Sequence, residues 1–180
     1  MKRINVVGTS GSGKSTFSRD LARAIGVRHI EMDAIYWQAD WRGLDDDSFA
    51  EQLNRQLQEA SWVLDGNYTR TIELKWSLAD TVIWLDYSFG RTFLQVVLRS
   101  VRRALSSAEI WPGTGNTETL YRSFFSRDSV ILWMLTNYHS NRKKYLGMMS
   151  SPRFSHINFI RIKRPSEAVE MIQKMQAEPN

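Results

Sequence analysis

The stretch "GTSGSGKS", residues 8–15, lies between two segments of different periodicity. Before it, residues 4–7 form a short apolar run rich in branched side chains, which reads as a strand buried on both faces. After it, Phe17, Leu21, Ala24 and Ile25 recur at helical spacing until Gly26 stops the helix. The chain must therefore pass from strand to helix through a glycine-rich turn. Glycines let such a turn point successive N–H groups inward, and the helix behind it adds its positive end. The turn is a cradle for an anion.

Its spacing fits GxxxxGK[ST], the phosphate-binding loop of nucleotide enzymes. Gly8, Thr9, Ser10, Gly11, Ser12 and Gly13 are expected to wrap the phosphate tail of ATP or GTP, with Lys14 reaching the β- and γ-phosphates. The Ser15 hydroxyl is expected to ligate Mg2+, with Thr16 beside it in the helix start. The [NT]KxD signature expected for guanine selectivity is absent, which favours ATP.

The alternation recurs along the chain. Strands are expected at residues 29–32, 62–64, 81–85 and 157–162, and helices near 47–60, 91–105 and 118–135, with a closing helix after Pro165. Strands alternating with helices imply an α/β protein whose parallel sheet is covered on both faces.

A chain of 180 residues with 42% apolar content has room for one buried core. With no cysteine, disulfides, thiolate metal sites and cysteine nucleophiles are excluded. The glycine loop starts at residue 8, leaving no space ahead of it for a secretory leader. The longest apolar run, 130–135, is far short of the roughly 20 residues that span a bilayer. A cytoplasmic protein without a membrane partner is expected. Charge is uneven: residues 1–90 hold 10 Lys/Arg against 13 Asp/Glu, net −3, and residues 91–180 hold 14 against 6, net +8. The basic half suits nucleic acid, and it suits a polyphosphate equally well.

A cation on Ser15 needs further oxygen ligands, commonly waters positioned by a carboxylate at a neighbouring strand end. Asp65 in "WVLD" and Asp86 in "VIWLD" both end strands. In mononucleotide-kinase topologies the third strand usually neighbours the first, which favours Asp65 for the metal and leaves Asp86 as a turn or cap. Asp33 ends the second strand in "HIEMDAIYW", at the carboxyl edge where open α/β sheets bind ligands. It is expected to accept a hydroxyl proton from an acceptor or to bind its polar groups; the plainer alternative is an N-cap.

Together, "GTSGSGKS", Asp33 followed by Tyr36, Trp37 and Trp41, and "LDGNYTR" resemble small kinases related to adenylate kinase and shikimate kinase. They look closest to the adenylate-kinase-like group labelled "DNA topology modulation protein". The resemblance spans nearly the whole chain and includes Gly115, Asn116 and Glu118. It implies a P-loop NTPase fold with a five-stranded parallel sheet, order 2-3-1-4-5, in one domain over 1–180 carrying a helical lid at about 89–155. It also implies Mg-ATP and transfer of the γ-phosphoryl group to a small-molecule acceptor. "LDGNYTR" is similar to the adenylate kinase stretch "LDGFPR", so Asp65 would position metal waters and Arg70, one place later here, would bind the acceptor with Asp33, Tyr36 and Trp37. Arg164 and Pro165 follow the last strand, where related kinases pack the adenine.

Arg99, Arg102 and Arg103, with Arg91 on nearly the same face, fall where such kinases carry their lid. Phosphoryl transfer spreads charge in its transition state, and cations in a water-poor site stabilise it; planar guanidinium suits phosphate especially well. Arg99 and Arg103 are expected to close on the transferring group. The plainer reading is a solvated face opposite an apolar stripe of Phe93, Leu94, Val97 and Val101. Arg142, Lys143 and Lys144 read as plain surface.

Trp62, Trp84 and Trp133 lie inside apolar runs and read as core, whereas Trp37 and Trp41 follow Asp33 in a polar setting and read as acceptor contacts. His29, His139 and His156 lack metal-ligand spacing. Residues 34–60 hold Asp45, Asp46 and Asp47 but only Arg42 and Arg55 as cations, which weakens an AMP-kinase reading. The sequence thus points to a Mg-ATP-dependent kinase for a small nucleotide-like or hydroxylated metabolite. The alternatives are a nucleic-acid-binding protein regulated by nucleotide and a partner-coupled ATPase.

Overall fold

The computed structural model describes residues 1–106, 108–126 and 129–177. Five strands, β1 (Arg3–Gly8), β2 (Arg28–Glu31), β3 (Trp62–Asp65), β4 (Thr81–Leu85) and β5 (Asn158–Ile162), pair in parallel in the order β2-β3-β1-β4-β5. The two-residue period of the strands divides the core between the faces of the sheet. On one face Ile4, Val6, Val63 and Ile83 meet Phe17 and Leu21 of α1 (Lys14–Ala24) and Ala168 of α8 (Pro165–Ala177). On the other, Trp62 and Leu64 meet Phe49 and Leu53 of α3 (Asp46–Gln56). Beside them, Val7, Val82 and Trp84 meet Trp76 of α4 (Ile72–Leu78) and Tyr145 of α7 (Val130–Met149).

The acidic run at 45–47 belongs to the start of α3. The Asp45 carboxylate accepts from the Ser48 amide at 2.9 Å, and Asp46 and Asp47 lie in the first turn, where the helix dipole favours negative charge.

Two helices escape the sequence reading. α2 (Met32–Tyr36) follows directly on β2, so the strand stops at Glu31 and Asp33 sits in a helical turn, not on the strand. α4 buries Ile72 and Trp76 but also Lys75, and a charged residue on the inward face disguises the apolar pattern.

Between β4 and β5 lie α5 (Phe89–Ser106), α6 (Leu120–Phe124) and α7. The continuous helix expected over 118–135 is two helices where it is described; its residues 127–128 lie outside the described residues. Ser129 starts α7: its hydroxyl accepts from the Leu132 amide at 3.2 Å and donates to the carbonyl of Ser123.

α5 also corrects the expectation of a stripe facing the core. It buries Thr92, Val96 and Ser100, while of the expected stripe Phe93 and Leu94 are exposed and Val97 and Val101 are half-buried. Trp133 likewise departs from the core and is 41% exposed, because apolar residues surround this part of α7 and only Ile131 and Met134 of residues 130–135 turn fully inward. No helix among the described residues is long and apolar enough to cross a membrane.

Candidate active site

The glycine loop is shaped by close approach. A Cβ on Gly11, whose φ is +85°, would lie 2.7 Å from Cβ of Val96 and 2.8 Å from the carbonyl of Thr92. α5 therefore rests on the loop itself, which explains why its buried face is made of small side chains. Gly13 caps α1 at φ +84°, a left-handed turn that glycine adopts without strain, and nothing stands within 4 Å of where its Cβ would be. The loop is open on that side.

The strand ends beside the loop are held by buried polar side chains. Asn67 receives the Gly8 amide at 3.0 Å, donates to the Gly8 carbonyl, and accepts from the Tyr145 hydroxyl at 3.2 Å. Asn5 donates to the carbonyl of Leu64 at 3.1 Å and accepts from the Trp76 indole at 2.8 Å. These bonds fix the exit of β3, where Asp65 pairs in register with Val6 of β1. Asp65 is 4% exposed, and its Oδ1 has no hydrogen-bond partner among the described residues. Burial pushes its pKa up to about 6, against the opposing pull of Lys14 and of the Ser15 hydroxyl.

Asp33 lines the same cavity as Lys14, a space of about 1020 Å3. One carboxylate oxygen of Asp33 accepts the Tyr68 hydroxyl at 2.6 Å. Burial and the nearby Asp33 charge push the Tyr68 phenol far up, so it stays a donor. Arg99 and Arg103 of α5 line the cavity too, whereas Arg91 and Arg102 are exposed. Nε of Arg99 is buried without a partner among the described residues, and Arg103 pairs with Glu118 at 3.4 Å.

The wall beyond Asp33 is aromatic. Trp37 and Trp111 stack at 6.4 Å between ring centres, and Trp41 meets Trp111 edge-on at 5.8 Å. Two chain segments are clamped together here: Asn116 accepts the Trp41 amide at 2.9 Å and donates to the Gln38 carbonyl at 2.8 Å. Arg122 lies 4.0 Å above the Trp41 ring. Arg70 also lines the cavity, but it pairs with Asp46 at 2.6 Å and lies 4.7 Å above Tyr36.

Other expected site residues fall elsewhere. Arg164 is an exposed partner of Glu167 at 3.7 Å, and neither it nor Pro165, the first residue of α8, lines the cavity. Asp86 is neither turn nor cap: it bonds Arg161 at 2.8 and 2.5 Å and pairs with Arg142 at 3.3 Å. That pairing also takes Arg142 out of the plain surface, as does the 2.9 Å bond from Lys144 to the Thr69 hydroxyl.

Glu31, Asn67, Tyr68, Trp111 and Arg122 are functional candidates that sequence reasoning missed. Three had a usable signal: Glu31 stands two places before Asp33, and Asn67 and Tyr68 lie within "LDGNYTR". Trp111 and Arg122 flank the Gly115, Asn116 and Glu118 element, but nothing in their own residue types marks them, and the fold brings them to the site.

No family model matches the chain, and no curated protein matches it. Solved structures do. A gluconokinase from Sinorhizobium meliloti 1021 superposes with TM-score 0.53 at 16% identity, covering 98% of this chain and 90% of that one. The shikimate kinase of Acinetobacter baumannii, in complex with shikimate, gives 0.59 at 15% identity over 97% and 90%. That of Bacteroides thetaiotaomicron gives 0.57 at 12% identity over 98% and 97%. The chain has the fold of a P-loop kinase. The strand order and the helices around the sheet agree with this P-loop kinase fold. None of the three carries the DNA-topology label of the sequence resemblance.

The residues present fit a phosphate tail and a hard cation. The loop is open at Gly13, Ser12 and Asp65 each hold a buried oxygen without a partner among the described residues, and the Lys14 amine, which donates to the Thr9 carbonyl at 3.4 Å, feels the charges of Asp65 and Asp33. Ser15 and Asp65 offer oxygen donors of the type Mg2+ takes. Among the described residues no cluster of three or more His, Cys, Asp or Glu could hold a metal. Phosphate oxygens and water would complete such a shell.

Proposed function

We propose that this protein is a Mg-ATP-dependent phosphotransferase whose acceptor is a small hydroxylated metabolite. The observation that carries the reading is convergence: Lys14, Ser15, Asp33, Asp65, Arg99 and Arg103, contributed by elements on both sides of the sheet edge, line one cavity. The likeness to a gluconokinase and to a shikimate kinase holding shikimate supports a small acceptor.

Mg-ATP would supply the transferable phosphoryl group and, through the metal, a charge that draws its oxygens together. The loop amides and Lys14 hold the β- and γ-phosphates, and Ser15 and Asp65 hold the cation with its waters. Asp33 has one oxygen committed to Tyr68 and uses the other to orient the acceptor hydroxyl and take its proton. Arg99 and Arg103 stabilise the charge on the group in transit, with α5 to α7 acting as a lid that excludes water. The unpartnered Nε of Arg99 is a donor left free for that task.

The test is phosphoryl transfer from ATP across a panel of nucleosides, sugars, polyols and hydroxy acids. Lys14→Ala is expected to lower turnover by at least about a hundredfold, the scale of one preorganised charge contact. A loss of tenfold or less would mean that the loop has another task.

A further inference from the structure

The acceptor end of the cavity has a chemistry that phosphate binding does not require. Three tryptophans, Trp37, Trp41 and Trp111, form its wall, and two carboxylates, Glu31 and Asp33, face the same space. Among the described residues neither carboxylate has an ion pair; Glu31 accepts only the Trp111 indole N–H, at 3.3 Å. Burial pushes the Glu31 carboxyl above its usual range, as expected for an acid in a half-buried place without a bound cation.

The cations nearby are engaged with other groups. Arg103 pairs with Glu118, Arg70 pairs with Asp46, and Lys144 bonds Thr69. Arg122 is stacked on Trp41. Lys14 and Arg99 remain, and the kinase reading, on which this inference rests, assigns them, together with Arg103, to the phosphates. An acceptor carrying a phosphate or carboxylate would set its negative charge against Glu31 and Asp33, and the two other lining cations without an ion pair among the described residues, Arg122 and Lys144, are held on the Trp41 ring and the Thr69 hydroxyl.

A cation meets the opposite conditions. The face of an aromatic ring is its negative pole, and tryptophan is the strongest of the three ring types for this contact. Two rings already carry cations of the chain's own, Arg122 4.0 Å over Trp41 and Arg70 4.7 Å over Tyr36, so a ligand cation would turn to the Glu31 carboxylate and to Trp37 and Trp111. A buried carboxylate without a partner is unfavourable until a donor arrives, and an ammonium group supplies both charge and hydrogens.

We propose that the acceptor is a hydroxylated amine, held by its ammonium group between Glu31 and the tryptophan wall and phosphorylated on its hydroxyl. The ammonium takes no part in bond making. The acceptor oxygen forms its bond to the γ-phosphorus as the bond to the bridging oxygen breaks; ADP leaves with that electron pair, and the hydroxyl proton passes to Asp33.

The experiment uses the full chain saturated with Mg-ATP, titrated calorimetrically and melted against matched sets that differ in one group. One set is glucosamine, glucose and gluconate; others are amino alcohols with the corresponding diols and hydroxy acids; AMP stands for phosphate-bearing acceptors. In at least one set the amine is expected to bind about tenfold or more tightly than its neutral partner, the scale of a desolvated cation–π contact with a charge-assisted hydrogen bond. The acid and AMP are expected to be weakest. Glu31→Gln should erase that preference while leaving the Mg-ATP melting shift intact, and Trp37→Leu should weaken it independently. If neutral or acidic partners bind as well as the amines, or if the preference survives Glu31→Gln in a variant that still binds Mg-ATP, the amine assignment is overturned. If Mg-ATP leaves the wild-type melting temperature unmoved, the kinase reading itself fails, and this proposal falls with it.

Discussion

Lys75 is fully buried, yet its ammonium group meets carbonyls and not a carboxylate: Gly66 at 3.2 Å and Tyr68 at 3.3 Å. It fastens the loop that carries Asn67 and Tyr68 beside the site. Burial, aided by the nearby Lys144, pulls its pKa down to about 7. The unfolded chain keeps this proton up to about 10.5, so between pH 7 and 10.5 the unfolded state binds more protons and stability rises with pH. Below pH 7 both states are protonated and the slope vanishes. A melting curve of the wild type is expected to shift upward from pH 7 to pH 9, and Lys75→Met should flatten that rise; equal slopes would mean that Lys75 is not buried as a charge. Gly11 gives a second prediction on the same scale. Gly11→Ala forces a side chain into Val96 at positive φ, a combined cost of about 2–4 kcal/mol, read as a lowered melting temperature together with loss of the Mg-ATP shift.

The segment from α2 to α3 is irregular where it meets the acceptor wall. Asp40 and Trp41 both take positive φ, 56° and 57°, a conformation that costs such residues on the order of 1–3 kcal/mol each. The Trp41 amide is nonetheless held by Asn116, which is 2% exposed, and its ring is held between Trp37, Trp111 and Arg122. Asn116 thus fixes a strained turn whose product is the position of one tryptophan. Asn116→Ala is expected to speed hydrogen exchange at the Trp41 amide and to weaken acceptor binding about tenfold or more, with the Mg-ATP shift unchanged; an unchanged exchange rate would remove Asn116 from this role. The sequence singled out Trp41 and Asn116 separately, but neither their pairing nor the strained turn was legible in it. A positive-φ tryptophan has no sequence signal, and Asn116 lies 75 residues from its partner. Lys14 and Asp65 could be placed at the sheet edge because a loop of fixed spacing and a strand end mark them locally, whereas Asp33, expected at a strand end, lies in the helical turn of α2. The apolar stripe of α5 was misplaced for a physical reason: the side resting on Gly11 admits only small side chains, so Leu94 and Leu98 face outward.

On the scale of the whole molecule, the sheet order was legible from alternation and resemblance together, and the basic half of the chain has a use beyond its surface. Arg99, Arg103, Arg122 and Lys144 all line the cavity. Nucleotide binding should therefore stabilise the entire fold, since the loop, α5 and the strand ends share one site. At a hundredfold excess over Kd, Mg-ATP is expected to add about 2.7 kcal/mol, a rise of roughly 5–10 °C for a chain of this size. Scanning calorimetry checks this, and Lys14→Ala should abolish the rise.

The clamp between Trp41 and Asn116 has a consequence for how such a protein can diversify. The two halves of the acceptor wall are encoded far apart, so neither can be exchanged alone: a graft of residues 109–118 from a relative would import a loop with nothing to hold, and a graft of 36–43 would import a turn with nothing holding it. On the proposed function, a change of acceptor is expected to need matched substitutions in both segments.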